Sequence, residues 1–487
     1  MSGIITYSPK VFIPLTSLCR DRCGYCTFAK APHRVESPYL STESILEVAN
    51  AGSAAGCHEA LFTLGEYPEF RYPQAREWLD QNGFTSTVDY LVAAAQEVLD
   101  VTGLLPHANA GALDHADLSL LRLVSPSQGM MIESLNPDLV AHRGAPDKTP
   151  ERRLATLNAA GELQIPFTTG ILVGIGESRE DRVAALEAIA TAHEKYGHVQ
   201  EVIVQNFVPK QDTQMRNWPA CSPQAFLETI AIAREILPAS VHLQAPPNLT
   251  DDLDTLLESG IDDLGGISPI TADFVNPEKP WPSLELLRDR VEASGRTLVP
   301  RLTIYPEFVR DPETWIAPEL RFAVMDRSDA DGFARDDIGA TFPEKYKDAA
   351  NVGTGAEVIQ IGRRSTAWYS GADTAPPILI SGSETDSSDG PVVEILESVR
   401  AGHQVTESEI VTLFRARGAD IGAIASLANT LREEANGNDV TFVRNRNINY
   451  TNVCTFKCTF CGFAKGKLSH NLRGTPYLLT LEEMQKR

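Results

Sequence analysis

The chain has 487 residues, 43% hydrophobic and 22% charged, which suits two or three globular domains or one large barrel with appendages and excludes a wholly disordered or fibrous protein. A formal charge of −22 lacks the basic face that a general nucleic-acid binder needs, so the expected substrate is a small molecule. The opening residues MSGIITYSPKVF carry no secretory signal, and no uncharged apolar run nears the roughly 20 residues of a membrane span, so a cytoplasmic protein without a membrane partner is expected.

Apolar, β-branched runs alternate with amphipathic stretches over the first 270 or so residues. The expected strands are 10–16 (KVFIPLT), 59–65 (EALFTLG), 104–110 (LLPHANA), 129–135 (GMMIESL), 167–174 (FTTGILVG), 201–207 (EVIVQNF), 241–247 (VHLQAPP) and 262–268 (DDLGGIS). Between them lie helix patterns such as STESILEVANAGSAAG, capped by Ser41 or Thr42 with Gly56 past its end. Another is TPERRLATLNAAG, with Thr149 as cap, Pro150 in the first turn and Gly161 as terminator. Eight strand–helix repeats are the pattern of an α/β fold, a parallel (β/α)8 TIM-like barrel, whose chemistry gathers at the carboxyl ends of the strands.

Residues 270–365 are rich in Pro, Trp and charge and are expected to extend the barrel unit, making it 1–365. Residues 366–391, poor in apolar side chains, read as a linker. Then Val392, Ile395, Leu396 and Val399 recur at helical spacing, Thr406 and Glu409 suit a capping box, and VTFVRNRNINYTNVC reads as a strand. The stretch 392–487 is thus expected to be a helical lead-in and the start of a truncated second domain.

Six of the eight cysteines form two copies of one spacing, Cys19, Cys23 and Cys26, then Cys454, Cys458 and Cys461. Cysteines two and three residues apart in a reducing compartment point to metal or redox chemistry rather than disulfides. A four-iron cluster normally takes four cysteines; three leave one iron open, which can chelate the amino and carboxylate groups of S-adenosylmethionine and reductively cleave it. Structural zinc requires four closed ligands, and His33 and His470, the nearest candidates for a fourth, read better as surface residues. Tyr25 and Phe460, each before a third cysteine, would shield a cluster from water, and Cys57 and Cys221 read as inert thiols.

Residues 1 to roughly 330 resemble a radical S-adenosylmethionine (radical SAM) enzyme, and the tandem motifs, CTFAK at 26–30 with GYC before it and NRNINYTNVCTFKCTFCGFAKG later, resemble the bifunctional FO synthase family, which makes the deazaflavin core of coenzyme F-420. The resemblance implies a [4Fe-4S] cluster on each cysteine triplet, S-adenosylmethionine as co-substrate, and an electron donor. It implies a lyase-type first half that converts a hydroxybenzyl ribityl-uracil adduct to FO with loss of ammonia. The second half would be transferase-type, coupling tyrosine to a ribityl-diaminouracil, and is expected to be inactive when truncated. TLGE at 63–66 stands at the family's Gly-Gly-Glu-like motif, so Gly65 and Glu66 would hold the cofactor's amino group, with Leu64 departing from the pattern. Gly170 and Gly174 would pack against adenine, Glu133 would contact the ribose, and Arg153 would pair with the methionine carboxylate. His107, Asn109, Gln205, Asn206 and Gln244 would line the substrate pocket, with no order among them. Other readings are a radical enzyme of menaquinone or thiamine synthesis, or an iron–sulfur scaffold without catalysis.

Overall fold

The computed structural model describes residues 3–250, 252–276, 278–335 and 390–486, the last apart from 444, 446, 457–460, 462 and 464–475. They fall into two units, within 1–338 and 339–487. The expected border at 365 and the linker up to 389 lie outside the described residues.

The first unit is built on nine strands: β1 (Ile4–Thr16), β2 (Glu59–Leu64), β3 (Leu105–Asn109), β4 (Ser127–Gly129), β5 (Phe167–Val173), β6 (Val199–Asn206), β7 (His242–Gln244), β8 (Asp263–Ile267) and β9 (Thr297–Pro300). β1 to β8 pair in order, all parallel, and β8 returns to β1, which closes the barrel. The length of β1 allows a third partner: Ile4–Tyr7 pair with β9, and from Lys10 onward β1 pairs with β2.

Helix ends follow their capping chemistry. Ser41 accepts the Ser44 N–H at the start of Thr42–Ala54, and Thr149 accepts the Arg152 N–H at the start of Pro150–Glu162. Gly161 does not terminate that second helix: it lies inside it, where any side chain would strike the Tyr196 ring. The fourth strand also differs from expectation. The paired residues are the buried polar Ser127 and Gln128 with Gly129, whereas the apolar Met130–Ile132 leave the ladder and Glu133 turns through φ 62° before bridging to Ile171.

Aliphatic side chains such as Val11, Ile13, Ile45, Leu91, Ile171, Ile189 and Val202 fill the layer between barrel and helices. The lumen near the amino ends of the strands is polar instead. Arg301, on the segment after β9, donates to both Asp263 oxygens at 2.6 and 3.0 Å and to Glu201 at 3.0 Å, while Lys10 pairs with Glu59 at 2.7 Å. Five buried charges in one space must compensate one another, because an uncompensated buried charge costs several kcal/mol (on the order of 3–5).

In the second unit, helix Pro391–Arg400 buries Val392, Ile395 and Leu396, and helix Glu407–Phe414 starts at the expected Thr406–Glu409 capping box. The stretch leading to Cys454 is not a strand among its described residues. A single antiparallel bridge, Thr451 with Leu478, is formed there.

Candidate active site

Cys19, Cys23 and Cys26 lie on the loop that leaves the carboxyl end of β1, and that loop is fixed by its backbone. Arg20 N–H donates to the Glu66 carbonyl at 2.8 Å, Arg22 N–H to Gly144 at 2.8 Å and Gly24 N–H to Ala141 at 2.7 Å. The loop is thereby anchored to the ends of β2 and of the segment after β4. Gly65 is required for the first anchor, since a Cβ there would overlap the Leu18 carbonyl oxygen and lie 2.6 Å from Cys19 Cβ.

All three thiols are half-buried. Burial, followed by the charges of Glu66 and Asp21, pushes Cys19 up to about 12, and burial pushes Cys23 well above the ordinary thiol range. Such thiols deprotonate only when a cation takes the proton's place. A single zinc ion would draw its sulfurs to roughly 3.8 Å of one another. Among the described residues no cysteine belongs to a group of three or more potential ligands within 4.8 Å of one another, so no closed set for a single ion stands here, and three thiols on one loop suit a four-iron cluster. His33 is exposed on a short helical turn, away from any ligand role.

Glu66, 7% exposed, sits beside this loop. Its backbone N–H donates to Cys19 Sγ at 3.2 Å, and its carboxylate is paired with Arg153 and accepts the Ala112 N–H at 3.2 Å. Two residues expected to act separately on the cofactor, Glu66 and Arg153, are therefore direct partners. Asp21 and Asp147 complete a buried acidic trio with Glu66, their nearest oxygens within 4.8 Å. Arg20 and Arg152 neutralise part of it through Asp147, at 3.5 and 3.2 Å, yet one oxygen each of Asp21 and Asp147 has no partner. Burial, then Glu66, pushes Asp21 up to about 6. The trio therefore presents excess carboxylate acceptors beside the cysteine loop.

Glu133 is held by Lys148 at 2.5 Å and His142 at 3.1 Å and accepts the Tyr25 hydroxyl, so the residue expected to shield the cluster also ties its loop to the segment after β4. Burial alone would raise the Glu133 carboxyl, but Lys148 and His142 outweigh it and hold it at about 2. The sequence reading missed Asp21, Asp147, Lys148 and His142. The placement of Lys148 just before the Thr149 cap was the available signal for one of them.

Gly170 and Gly174 lie on and just past β5. A side chain at 170 would meet the Ile203 carbonyl and Met131, and one at 174 would meet Cys221 Cβ at 2.9 Å. Cys57 is fully buried, and Cys221 packs beside Gly174. Cys454 is exposed, Cys461 is half-buried, and Cys458 and His470 lie outside the described residues.

A cavity runs through the lumen below the cysteine loop. Lys10, Phe12, Glu59, His107, Asn109, Glu201, Gln205, Gln244, Asn248, Asp273, Trp281 and Arg301 are among its lining residues. Of the five residues expected there, Asn109, Gln205, Gln244 and His107 line it. His107 is engaged with Ser127 at 2.7 Å and Thr303 at 3.1 Å, and burial lowers it to about 4, so it is neutral. Asn206 faces away and donates to the Leu249 carbonyl at 3.0 Å.

The Radical SAM superfamily profile matches residues 13–189. The chain is 41% identical to FO synthase of Nocardia farcinica and 43% identical to FO synthase of Mycobacterium tuberculosis, over 96% and 95% of its own length. It spans 58% and 57% of those two proteins. Among solved structures, the FeFe-hydrogenase maturase HydG of Carboxydothermus hydrogenoformans superposes with a TM-score of 0.51 at 18% identity, covering 66% of this chain and 76% of that one, a likeness of fold. With 7,8-didemethyl-8-hydroxy-5-deazariboflavin synthase of Methanopyrus kandleri, identity is 48% over 337 residues, 68% of this chain and all of that protein. A barrel with three cysteines at its mouth, matching the whole of a deazariboflavin synthase at that level, makes this chain a member of the FO synthase family of radical SAM enzymes.

Proposed function

We propose that the barrel unit closes the deazaflavin ring, converting a hydroxybenzyl ribityl-uracil adduct to FO in a carbon–nitrogen lyase step that releases ammonia. What supports this most is the match of 68% of this chain to the whole of a deazariboflavin synthase, joined to a cysteine loop backed by Glu66 and Arg153. A four-iron cluster on Cys19, Cys23 and Cys26 would supply the electron that turns S-adenosylmethionine into methionine and a hydrogen-abstracting adenosyl radical.

The chain's own residues would do the rest. The acidic trio of Glu66, Asp21 and Asp147 has unpaired oxygens for the cofactor's ammonium. Arg153, buried between Glu66 and the Met131 carbonyl, would turn one face to the carboxylate. Glu133, kept ionised, would accept from ribose hydroxyls, while Gly170 and Gly174 would keep β5 closely packed beside the adenine site. The barrel wall would shield the substrate, lying in the lumen, from bulk water. A further cluster on Cys454, Cys458 and Cys461, and a reductant for each cluster, belong to the same reading.

The test is anaerobic. Protein reconstituted with iron and sulfide is given dithionite, S-adenosylmethionine and the adduct, and 5′-deoxyadenosine and FO fluorescence are measured. Both products are expected, and both should vanish in Cys23→Ala. Deoxyadenosine without FO would reject the substrate, and neither product would reject the enzyme.

A further inference from the structure

The lumen combines two features that the fold does not require. Phe12 of β1 and Trp281, after β8, stack with ring centroids 5.4 Å apart and 15° between planes, and both line the cavity. The Trp281 Nε1–H is buried without a hydrogen-bond partner. Around the same space stand four carboxamides, Asn109, Gln205, Gln244 and Asn248. The first three make no side-chain hydrogen bond among the described residues. Asn248 donates to Asp273 at 3.1 Å and to the Lys279 carbonyl at 3.2 Å, which leaves its buried Oδ1 with nothing to accept.

A polar atom buried without a partner, as Asn248 Oδ1 and Trp281 Nε1 are, costs about 1–3 kcal/mol unless a ligand or water meets it, while the amides of Asn109 and Gln205 are only half-buried and stand open to the cavity. The charged groups of the lining are instead satisfied within the protein, Lys10 by Glu59 and Arg301 by Asp263 and Glu201. The lining carries three carboxylates, Glu59, Glu201 and Asp273, against two cations, and no cation stands unpaired. Such a cavity offers neutral donors and acceptors beside an aromatic face, and it disfavours a dianion.

From this we infer that Phe12 and Trp281 with Asn109, Gln205, Gln244 and Asn248 form the subsite for the pyrimidinedione ring and its polyol, selecting the uncharged, dephosphorylated form. The inference rests on the ring-closure reading and assigns the specificity residues that reading leaves open. The ring's alternating carbonyl and imide N–H groups match carboxamides, which donate and accept side by side. The polyol takes the remaining amides.

Cluster-loaded full-length protein is titrated calorimetrically with 6-(D-ribitylamino)uracil, which has no amino group to lose, and with its 5′-phosphate. The neutral compound should bind at least tenfold more tightly than the phosphate. Gln205→Leu and Gln244→Leu should each weaken it by about tenfold, the usual loss when one hydrogen bond in a dry site is left unmade. Trp281→Leu should do at least as much. Iron content and circular dichroism report folding, and Asn109→Ser serves as a milder variant with the same expected direction. Equal affinity for the phosphate, or folded variants that bind like the parent, would overturn the subsite. If the parent nevertheless forms FO from the adduct, the ring-closure reading survives that loss; if the binding pattern appears without FO, the subsite stands and the reaction does not.

Discussion

A methyl group at position 65 has nowhere to go, since Leu18 and Cys19 occupy its space. Gly65→Ala must therefore push the cysteine loop outward while leaving the barrel core intact. We expect the variant to keep its circular dichroism and, since Cys454, Cys458 and Cys461 would still hold their own cluster, to bind only about half of the parent's iron on reconstitution, because preorganised ligands require ångström-scale precision. Full iron loading would refute it. The Glu66–Arg153 pair makes a second prediction. Both side chains are buried, so Glu66→Gln strands a guanidinium and should cost about 3 kcal/mol in urea unfolding. Adding Arg153→Met should recover most of that stability, because the pair leaves together, without restoring cleavage of S-adenosylmethionine. Recovery of both would mean that the pair is only structural. The sequence reading found both residues by motif position, but not their contact: they are 87 positions apart, and only the fold brings them together.

At the scale of elements, most of the barrel was legible because its strands are runs of buried apolar residues bounded by caps and glycines. β4 was displaced in the reading because Met130 to Ile132 look like a strand, while the residues that pair are polar. β9 is four residues long, too short for any periodicity, and VTFV at 440–443 is rich in β-formers but pairs with no strand among the described residues. One tie between elements is pH-dependent. His242 on β7 stacks on Tyr305 and lies 3.1 Å from Asp262 and 3.2 Å from Glu307, on the short helix Pro306–Val309. Burial pushes its pKa down, but the two carboxylates outweigh this and raise it to about 10. A raised folded pKa means stability fully present below 6.5, the unfolded value, and lost as pH rises toward 10. With partial exposure discounting the effect, the loss should be on the order of 2 kcal/mol between pH 6 and pH 10. Urea midpoints measured across that range should fall more steeply in the parent than in His242→Gln, and parallel curves would show the ion pairs to be worthless.

For the whole molecule, the decisive asymmetry is between the two units. The first holds the closed barrel, the lumen cavity, Cys19, Cys23 and Cys26, and three clusters of buried apolar side chains drawn from residues 5–334. The second has a cluster centred on Val392, Leu396 and Leu427, and leaves Phe414, Phe442, Phe456 and Leu481 each more than three-quarters exposed. Among the described residues, a core that small offsets little of the conformational entropy lost in ordering them, since stabilisation scales with apolar area removed from water. The expected consequence is two transitions in urea: an early one with a shallow slope for the second unit, and a later, steeper one for the barrel. A fragment of residues 1–338 should then unfold within about 1 kcal/mol of the later transition, because among the described residues none of its clustered core side chains comes from beyond 334. After reconstitution it should also form deoxyadenosine at the parent's rate. A fragment that is insoluble, or that melts well before the barrel transition of the full chain, would mean that the barrel draws stability from residues beyond 338.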